Sequence, residues 1–256
     1  MLSFHNISLQ LGGTTILNSM SGEIIEGSIT ALIGPNGSGK SSLLSVLSGL
    51  VRPLQGEVVL QGQALQSIPR AQLAKQLALL PQRNPVPASL SVSDLVTFGR
   101  HPHRPWYQRL NASDKQLIDW SMHETGIGDY AHRQLTELSG GELQRAWLAM
   151  VLAQDTPVVM LDEPTSWLDI SHQLALLKIV QRLNRQYKKT IVWVLHDLNQ
   201  ASRYSDRAIL INQGRIVSQG PVAQVINATL ISQVYQTPVR SHQIGQQHVL
   251  WPEEQL

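Results

Sequence analysis

A glycine-rich segment at residues 34–41 is the part of the sequence best suited to chemistry. It reads Gly-Pro-Asn-Gly-Ser-Gly-Lys-Ser and fits G-x-x-x-x-G-K-[ST] at every defined position, which an ordinary glycine-rich turn would rarely do. Glycines let backbone N–H groups surround phosphates, and a following helix N-terminus adds positive charge. Lys40 is expected to reach the β- and γ-phosphates, and the Ser41 hydroxyl to ligate Mg²⁺. We therefore predict nucleotide contacts from Gly34, Pro35, Asn36, Gly37, Ser38, Gly39, Lys40, Ser41 and Ser42.

Two adjacent carboxylates, Asp162 and Glu163, follow the apolar run 158–161. If that run is a buried strand, its carboxyl end is where ligands bind in open α/β sheets. Asp162 is then expected to hold Mg²⁺ directly or through water. Glu163 lies one residue further on and is a candidate general base for an attacking water. The alternative is an acidic turn that caps a helix near Pro164, and the phosphate loop makes that alternative the weaker one.

A third segment, residues 138–142, reads Leu-Ser-Gly-Gly-Glu and precedes an apolar helical pattern. Ser139 with Glu142 three residues later has the spacing of a capping box, which explains how a helix would begin there. Capping alone gives no reason for Gly140 and Gly141. Two glycines at the N-terminus of a helix would also suit a second surface that contacts phosphate.

Short apolar strands alternating with helical patterns must position these groups. Residues 29–33, 158–161 and 191–195 are apolar and strand-sized, whereas 41–50 and 171–186 have apolar residues at helical spacing. This alternation predicts a mostly parallel sheet covered on both faces. Residues 1–28 and 56–62 instead show the alternation of antiparallel strands.

The amino-acid composition excludes several classes of protein. The chain has 256 residues, 42% hydrophobic and only 15% charged, which favours a folded globular domain over disorder. A net charge of +2 gives no bulk electrostatic reason to expect a nucleic-acid partner. With no cysteine, disulfides, thiolate metal sites and cysteine catalysis are excluded. We find no secretory signal and no apolar run of about 18 residues, so we expect a cytosolic protein.

Taken together, the three motifs are similar to those of ATP-binding cassette ATPases, the nucleotide-hydrolysing subunits of membrane transporters. The resemblance covers nearly the whole chain: residues 34–41 resemble Walker A, 138–142 the signature and 158–163 Walker B. Gln82 matches the Q-loop glutamine, Asp169 the D-loop aspartate and His196 the switch histidine. Six motifs in family order make chance agreement negligible.

The resemblance implies roles that the residues alone do not. Two subunits would form a homodimer around two ATP molecules, with Ser139, Gly140 and Gly141 of one contacting the γ-phosphate held by the other. Gln82 would sense Mg²⁺ and the γ-phosphate, Asp169 would help to assemble the opposed site, and His196 would contact the γ-phosphate and position water. The implied cofactors are ATP and Mg²⁺.

Further segments resemble importers of metal chelates. These are residues 97–103, with a G-R-x-P pattern, and residues 149–154, 168–173 and 196–204. The resemblance implies import of ferric citrate or a ferric siderophore at the cytoplasmic face of a bacterial inner membrane. It also implies two integral-membrane permease subunits and, indirectly, a periplasmic binding protein. Haem and cobalamin importers share much of this pattern and stay open as alternatives.

Three further features of the sequence have their own interpretations. Leu11 lies where many family members stack an aromatic ring on adenine, so adenine contact is expected to be weaker or purely apolar. Trp167 occupies a D-loop position that is usually small. His101 and His103, beside Arg100, Arg104 and Arg109, are interpreted as a solvated loop or a surface for the membrane partner rather than a metal or nucleic-acid site.

We therefore predict an α/β P-loop NTPase fold with an antiparallel β subdomain, and with a helical signature subdomain inserted near 84–155. Residues 1–256 would form one ATPase domain, with 222–256 as a peripheral extension. Two rival functions remain: a soluble cassette ATPase without a transport role, and a regulator that binds nucleotide but barely hydrolyses it. The G-R-x-P segment disfavours the first rival and Glu163 disfavours the second.

Overall fold

The structure is a computed structural model that describes residues 1–253, apart from positions 83, 106, 167, 245 and 246. For residues 244, 247 and 248 only the backbone is described. The chain divides into two compact units, the first made of Met1–Ile68 and Thr190–Leu256, the second of Pro69–Lys189.

The strands, in chain order, are β1 (Leu2–Leu11), β2 (Thr14–Ile24), β3 (Ile29–Ile33), β4 (Gln55–Leu60), β5 (Gln63–Ala64), β6 (Leu77–Leu80), β7 (Val158–Asp162), β8 (Thr190–Val194), β9 (Arg207–Asn212), β10 (Arg215–Pro221), β11 (Val239–Ile244) and β12 (Gln247–Pro252). The helices are α1 (Lys40–Leu47), α2 (Arg70–Leu73), α3 (Val92–Phe98), α4 (Ala112–Thr125), α5 (Gly140–Ala153), α6 (Ile170–Tyr187), α7 (Leu198–Tyr204), α8 (Val222–Val225) and α9 (Ala228–Tyr235).

In the first unit, β8, β3 and β9 are adjacent parallel strands, and β10 adds antiparallel to β9. Every residue of β3 and β8 is buried, as continuous apolar sequence predicts for strands covered on both faces. The predicted strands at 29–33 and 191–195 are thus confirmed to within one residue. Helix α1 ends three residues earlier than predicted, because Gly49 adopts a left-handed backbone with φ +75°.

The N-terminal region forms a separate antiparallel sheet in the order β2-β1-β4-β5. The predicted antiparallel strands at 1–28 and 56–62 are therefore confirmed, and β1 pairs with both neighbours. Leu2 and Phe4 are buried and, after a register shift, so are Ile7 and Leu9, whereas Leu11 at the end of β1 is 53% exposed. A sheet with one buried and one solvated face produces this alternation.

The apolar periodicity after residue 222 is weak, so the sequence did not predict the regular structure that is present there. The tail forms α8, α9 and the β11–β12 hairpin, in which Val239 pairs with Pro252 and Ile244 with Gln247. The Asn199 side chain on α7 donates to the Leu250 carbonyl at 3.2 Å and accepts from the Leu250 N–H at 2.8 Å. Val225 and Ile231 are fully or almost fully buried, so the tail is packed into the first unit.

In the second unit, β6 and β7 pair in parallel, and α3, α4 and α5 share a hydrophobic core. That core contains the buried side chains of Val92, Leu95, Val96, Ile118, Met122, Ile127, Leu135, Ala146, Ala149 and Ala153. Capping boxes begin α3 at Ser91, α4 at Asn111 and α5 at Ser139. The capping box predicted at Ser139 and Glu142 is thus confirmed, with Ser139 Oγ accepting from the Glu142 N–H.

The segment after α3 joins three helices through a glycine and a buried ion pair. A Cβ at Gly99 would lie 2.3 Å from the Met150 carbonyl oxygen, so only glycine permits this approach to α5. Arg100 then donates from Nε to Asp114 Oδ1 at 2.9 Å and from Nη1 to the Ala153 carbonyl at 2.7 Å. The side chains of Arg100 and Asp114 are 7% and 5% exposed.

The interpretation of this region as a solvated or docking loop is therefore wrong for Arg100, whereas His103 is half-buried. Arg100 is buried, and His103 Nε2 lies 2.7 Å from the Gln154 carbonyl oxygen. His101 is exposed and packs edge-on against Phe98. A cluster of basic residues in a sequence suggests a solvated segment. The contacts that bury Arg100, with the Asp114 carboxylate and the Ala153 carbonyl, involve residues outside this segment and cannot be seen in its local sequence.

Replacing Gly99 by alanine is expected to destabilise the second unit by about 1–3 kcal/mol, because the added methyl collides with backbone rather than with a movable side chain. Urea-induced unfolding would measure this change. The matched control is Gly128→Ala, since a Cβ at Gly128 would meet no atom within 4 Å. Equal stability of the two variants would contradict the close approach at Gly99.

Candidate functional site

The phosphate loop lies in the first unit, between the end of β3 and the start of α1. Gly34, Gly37 and Gly39 have φ of +146°, +75° and +104°, backbone conformations that disfavour any side chain. A Cβ at Gly34 would also lie 2.0 Å from the Ile211 carbonyl oxygen. The glycine spacing of the motif is thus required by the loop's own conformation.

The polar groups of this loop suit an anionic ligand. Lys40 is buried, and its Nζ donates to the carbonyl oxygens of Gly34 at 2.8 Å and Pro35 at 2.9 Å. The Ser38 hydroxyl is buried without a hydrogen-bond partner, and Gly39, the N-cap residue of α1, provides no side-chain cap. An unpartnered buried hydroxyl beside the N-terminus of a helix is a group that phosphate oxygens can satisfy. The loop residues therefore fit the predicted nucleotide.

The first unit also contains the predicted switch histidine and a tyrosine that contacts the phosphate loop. His196 is exposed and lies two residues beyond β8. Tyr235, at the end of α9, was missed by sequence analysis. Burial raises its pKa to about 12, against an opposing effect of a hydrogen bond from the Gly34 backbone N–H. The C-terminal tail thus places a phenol beside the first glycine of the phosphate loop.

In the second unit, Gln82 and Glu163 lie side by side. Leu80 of β6 pairs in register with Leu161 of β7, so Gln82 and Glu163, each two positions beyond that pair, are also opposite one another. Gln82 Nε2 donates to Glu163 Oε2 at 2.5 Å, and Ser166 Oγ donates to the same oxygen at 3.0 Å. The two hydrogen bonds hold one oxygen of the predicted general base.

Glu163 also has an unusual backbone, with φ +49°. The left-handed region costs a non-glycine residue about 1–2 kcal/mol, and such strain persists where the surrounding structure imposes it, commonly at active sites. The neighbouring Asp162 ends β7 and is 9% exposed. The Asp162 carboxylate and the Gln82 amide oxygen are hard oxygen groups of the kind that Mg²⁺ prefers, and the same is true of the Ser41 hydroxyl in the first unit.

The signature segment and Asp169 are brought together by a residue that the sequence did not single out. Asp169 caps the N-terminus of α6, and its Oδ1 accepts from the His172 N–H at 2.9 Å. The His172 ring packs on Gly141, where a Cβ would lie 2.7 Å from its Cγ. Gly141 therefore has a packing reason within its own chain, whereas a Cβ at Gly140 would meet nothing within 4 Å.

Leu11 and Trp167 are the remaining positions with a predicted role. Leu11 is exposed, consistent with a side chain available for apolar contact, and Trp167 lies outside the described residues. Among the described side chains no cluster of His, Asp and Glu residues forms a metal site. None of the helices in the described part of the chain is both long and apolar enough to cross a membrane.

Comparison with known proteins agrees with this geometry. The sequence model of the ABC transporter family matches residues 17–166. The chain is 41% identical to the iron(3+)-hydroxamate import ATP-binding protein FhuC of Bacillus subtilis, over 92% of this chain and 87% of that protein. It is 44% identical to the ferric enterobactin transport ATP-binding protein FepC of Escherichia coli, over 90% and 84%. A solved structure described as a metal-chelate type ABC transporter matches with a TM-score of 0.85 and 25% identity, over 99% of this chain and 98% of that one.

The fold and the phosphate loop define a P-loop nucleotide-binding protein with an added antiparallel β-sheet. The chain belongs to the ABC transporter family, as an ATP-binding subunit.

Proposed function

We propose that this chain is the ATP-hydrolysing subunit of an importer for an iron(III) chelate, a ferric siderophore or ferric citrate. The observation that carries the proposal is identity above 40%, over at least 90% of the chain, to ATP-binding proteins named for iron(3+)-hydroxamate import and ferric enterobactin transport.

Each unit supplies part of the proposed hydrolytic chemistry. In the first, Lys40 and the N–H groups of the phosphate loop bind the β- and γ-phosphates, and His196 contacts the γ-phosphate. In the second, Glu163 polarises the attacking water, and the bonds from Gln82 and Ser166 fix its carboxylate. Ser41, Asp162 and Gln82 would hold Mg²⁺, which when bound neutralises phosphate charge.

The proposed assembly is a homodimer that binds two ATP molecules. Ser139, Gly140 and Gly141 would contact nucleotide bound by the second copy, and Asp169 would help to assemble that opposed site. The dimer would attach to two integral-membrane permease subunits at the cytoplasmic face of the inner membrane, and a periplasmic binding protein would deliver the chelate to them. Closure of the dimer on ATP would drive the transport cycle.

Affinity purification from detergent-solubilised membranes tests the transport role. A tagged copy of this chain is expected to retain a polytopic permease, whereas an unrelated protein with the same tag retains none. Cells lacking the chain should lose uptake of radioactive iron supplied as a chelate, and the wild-type chain should restore it. A permease-free eluate together with normal iron uptake would contradict the transport proposal and favour a cassette ATPase without a transport role.

A further inference from the structure

His172 lies in the first turn of α6, and its imidazole occupies the position that a side chain at Gly141 would need. A Cβ at Gly141 would lie 2.7 Å from both Cγ and Cδ2 of the ring and 3.1 Å from Nδ1. Gly141 is buried, whereas Gly140 faces open space. The two glycines of the signature therefore have different surroundings: Gly141 lies against a ring of its own chain, and Gly140 has space for an incoming group.

The same ring is bound to the D-loop aspartate. His172 Nδ1 lies 2.8 Å from Asp169 Oδ1, and the His172 backbone N–H donates to that oxygen at 2.9 Å. Ser171 Oγ adds a third hydrogen bond to it at 2.8 Å. These bonds, led by the His172 N–H, lower the pKa of Asp169 to about 2. Asp169 is thus a stable anion that orients the imidazole through its Nδ1 proton.

We propose that His172 is a positioning residue that joins the signature segment to Asp169, so that ATP contacts at one are coupled to assembly at the other. The inference rests on the proposed function, in which Ser139, Gly140 and Gly141 contact nucleotide held by a second copy. A planar ring held between a backbone Cα and a carboxylate permits little relative movement of the two segments. Donors that are fixed in advance stabilise developing charge without reorganisation.

Three substitutions separate the two contacts of the ring. His172→Phe keeps a ring over Gly141 but has no Nδ1 proton, His172→Asn keeps a polar group near the Nδ1 position but loses most of the ring, and His172→Ala lacks both. We expect kcat for ATP hydrolysis by the full chain to fall about tenfold in His172→Ala and less in the other two variants. Affinity of the phosphate loop for a fluorescent ATP analogue should stay unchanged, as it should in the exposed control variant His132→Ala.

A double substitution tests the packing directly. Gly141→Ala places a methyl in the His172 ring and is expected to lower kcat about tenfold or more, whereas Gly141→Ala with His172→Ala should be no slower than His172→Ala alone. Losses that multiply in the double variant would overturn the inference, because the glycine would then be required for nucleotide and not for the ring. A wild-type kcat in His172→Ala would overturn it as well.

The outcome also separates this inference from the proposed function. If the wild-type chain shows ATP hydrolysis that Glu163→Gln abolishes, while His172→Ala matches wild type, the inference alone is overturned. If the wild-type chain has no such hydrolysis under the same conditions, the proposed function fails and the inference fails with it. Matching thermal unfolding of the wild type and His172→Ala shows that a lower kcat does not come from unfolding.

Discussion

Glu163→Gln is expected to lower the rate of ATP hydrolysis by about 10²- to 10⁴-fold, the usual contribution of a positioned general base. The substituted amide has nearly the same shape as the carboxylate, and its oxygen can still accept the hydrogen bonds from Gln82 and Ser166. It cannot take a proton from water, so the loss should appear in kcat. Nucleotide binding should persist, because Lys40 and the glycines of the phosphate loop are unchanged.

Steady-state hydrolysis with saturating ATP and Mg²⁺ would measure the effect, and chelation of Mg²⁺ by EDTA should abolish the wild-type rate. The matched control is Glu57→Gln, the same change of charge at an exposed position of β4. A Glu163→Gln rate within threefold of wild type, a limit of about 0.7 kcal/mol, would contradict the assignment of the base. A wild-type chain that binds ATP but does not hydrolyse it would instead favour the regulator hypothesis.

Arg100→Met is expected to lower the free energy of unfolding of the second unit by about 3–5 kcal/mol, because it leaves the buried Asp114 carboxylate without its cation. Burial by itself would raise the pKa of Asp114, but hydrogen bonds from Arg100 and from the Asn111 backbone outweigh it and the pKa is lowered. A carboxylate with a lowered pKa stabilises the fold above its ordinary value of 3.8, and this stabilisation is lost as the pH falls through the lower value. The effect of the variant is therefore present in full at neutral pH.

Urea-induced unfolding, with hydrogen exchange of α3, α4 and α5 amides, would measure this loss. Arg109→Met is the matched control, since Arg109 is exposed. Adding Asp114→Leu to Arg100→Met should recover much of the stability, because an apolar pair no longer requires a buried charge to be neutralised. Unchanged exchange in all three helices of Arg100→Met would contradict a stabilising role for the ion pair.

Local patterns account for much of what the sequence predicted correctly. Continuous apolar residues predicted β3, β7 and β8 to within one residue, since a strand buried on both faces needs them. The capping box predicted the start of α5 at Ser139. The phosphate loop was recognised because its glycines are required by local backbone angles, which neighbouring residues determine. The inserted subdomain near 84–155, the tail at 222–256 and the roles of the individual site residues stay predictions.

The contacts that organise the candidate site depend on residues far apart in sequence, and they were not predictable from local patterns. Gln82 lies beside Glu163 because of the parallel register of β6 and β7. Arg100 was predicted to be exposed, but it is buried because it contacts α4 and α5. The contact between the His172 ring and Gly141 was likewise not predictable, because nothing local distinguishes His172 from other polar residues in the first turn of a helix.

The amino-acid sequence by itself therefore determined the elements, the phosphate loop and the family, because backbone angles, caps and apolar periodicity act over a few neighbouring residues. Only the tertiary structure decided which group holds Glu163, why Gly141 must be glycine and what Arg100 contacts. Strand register and helix packing are set by the whole core, and side chains such as Gln82 and Glu163, 81 residues apart, meet only when that core has formed.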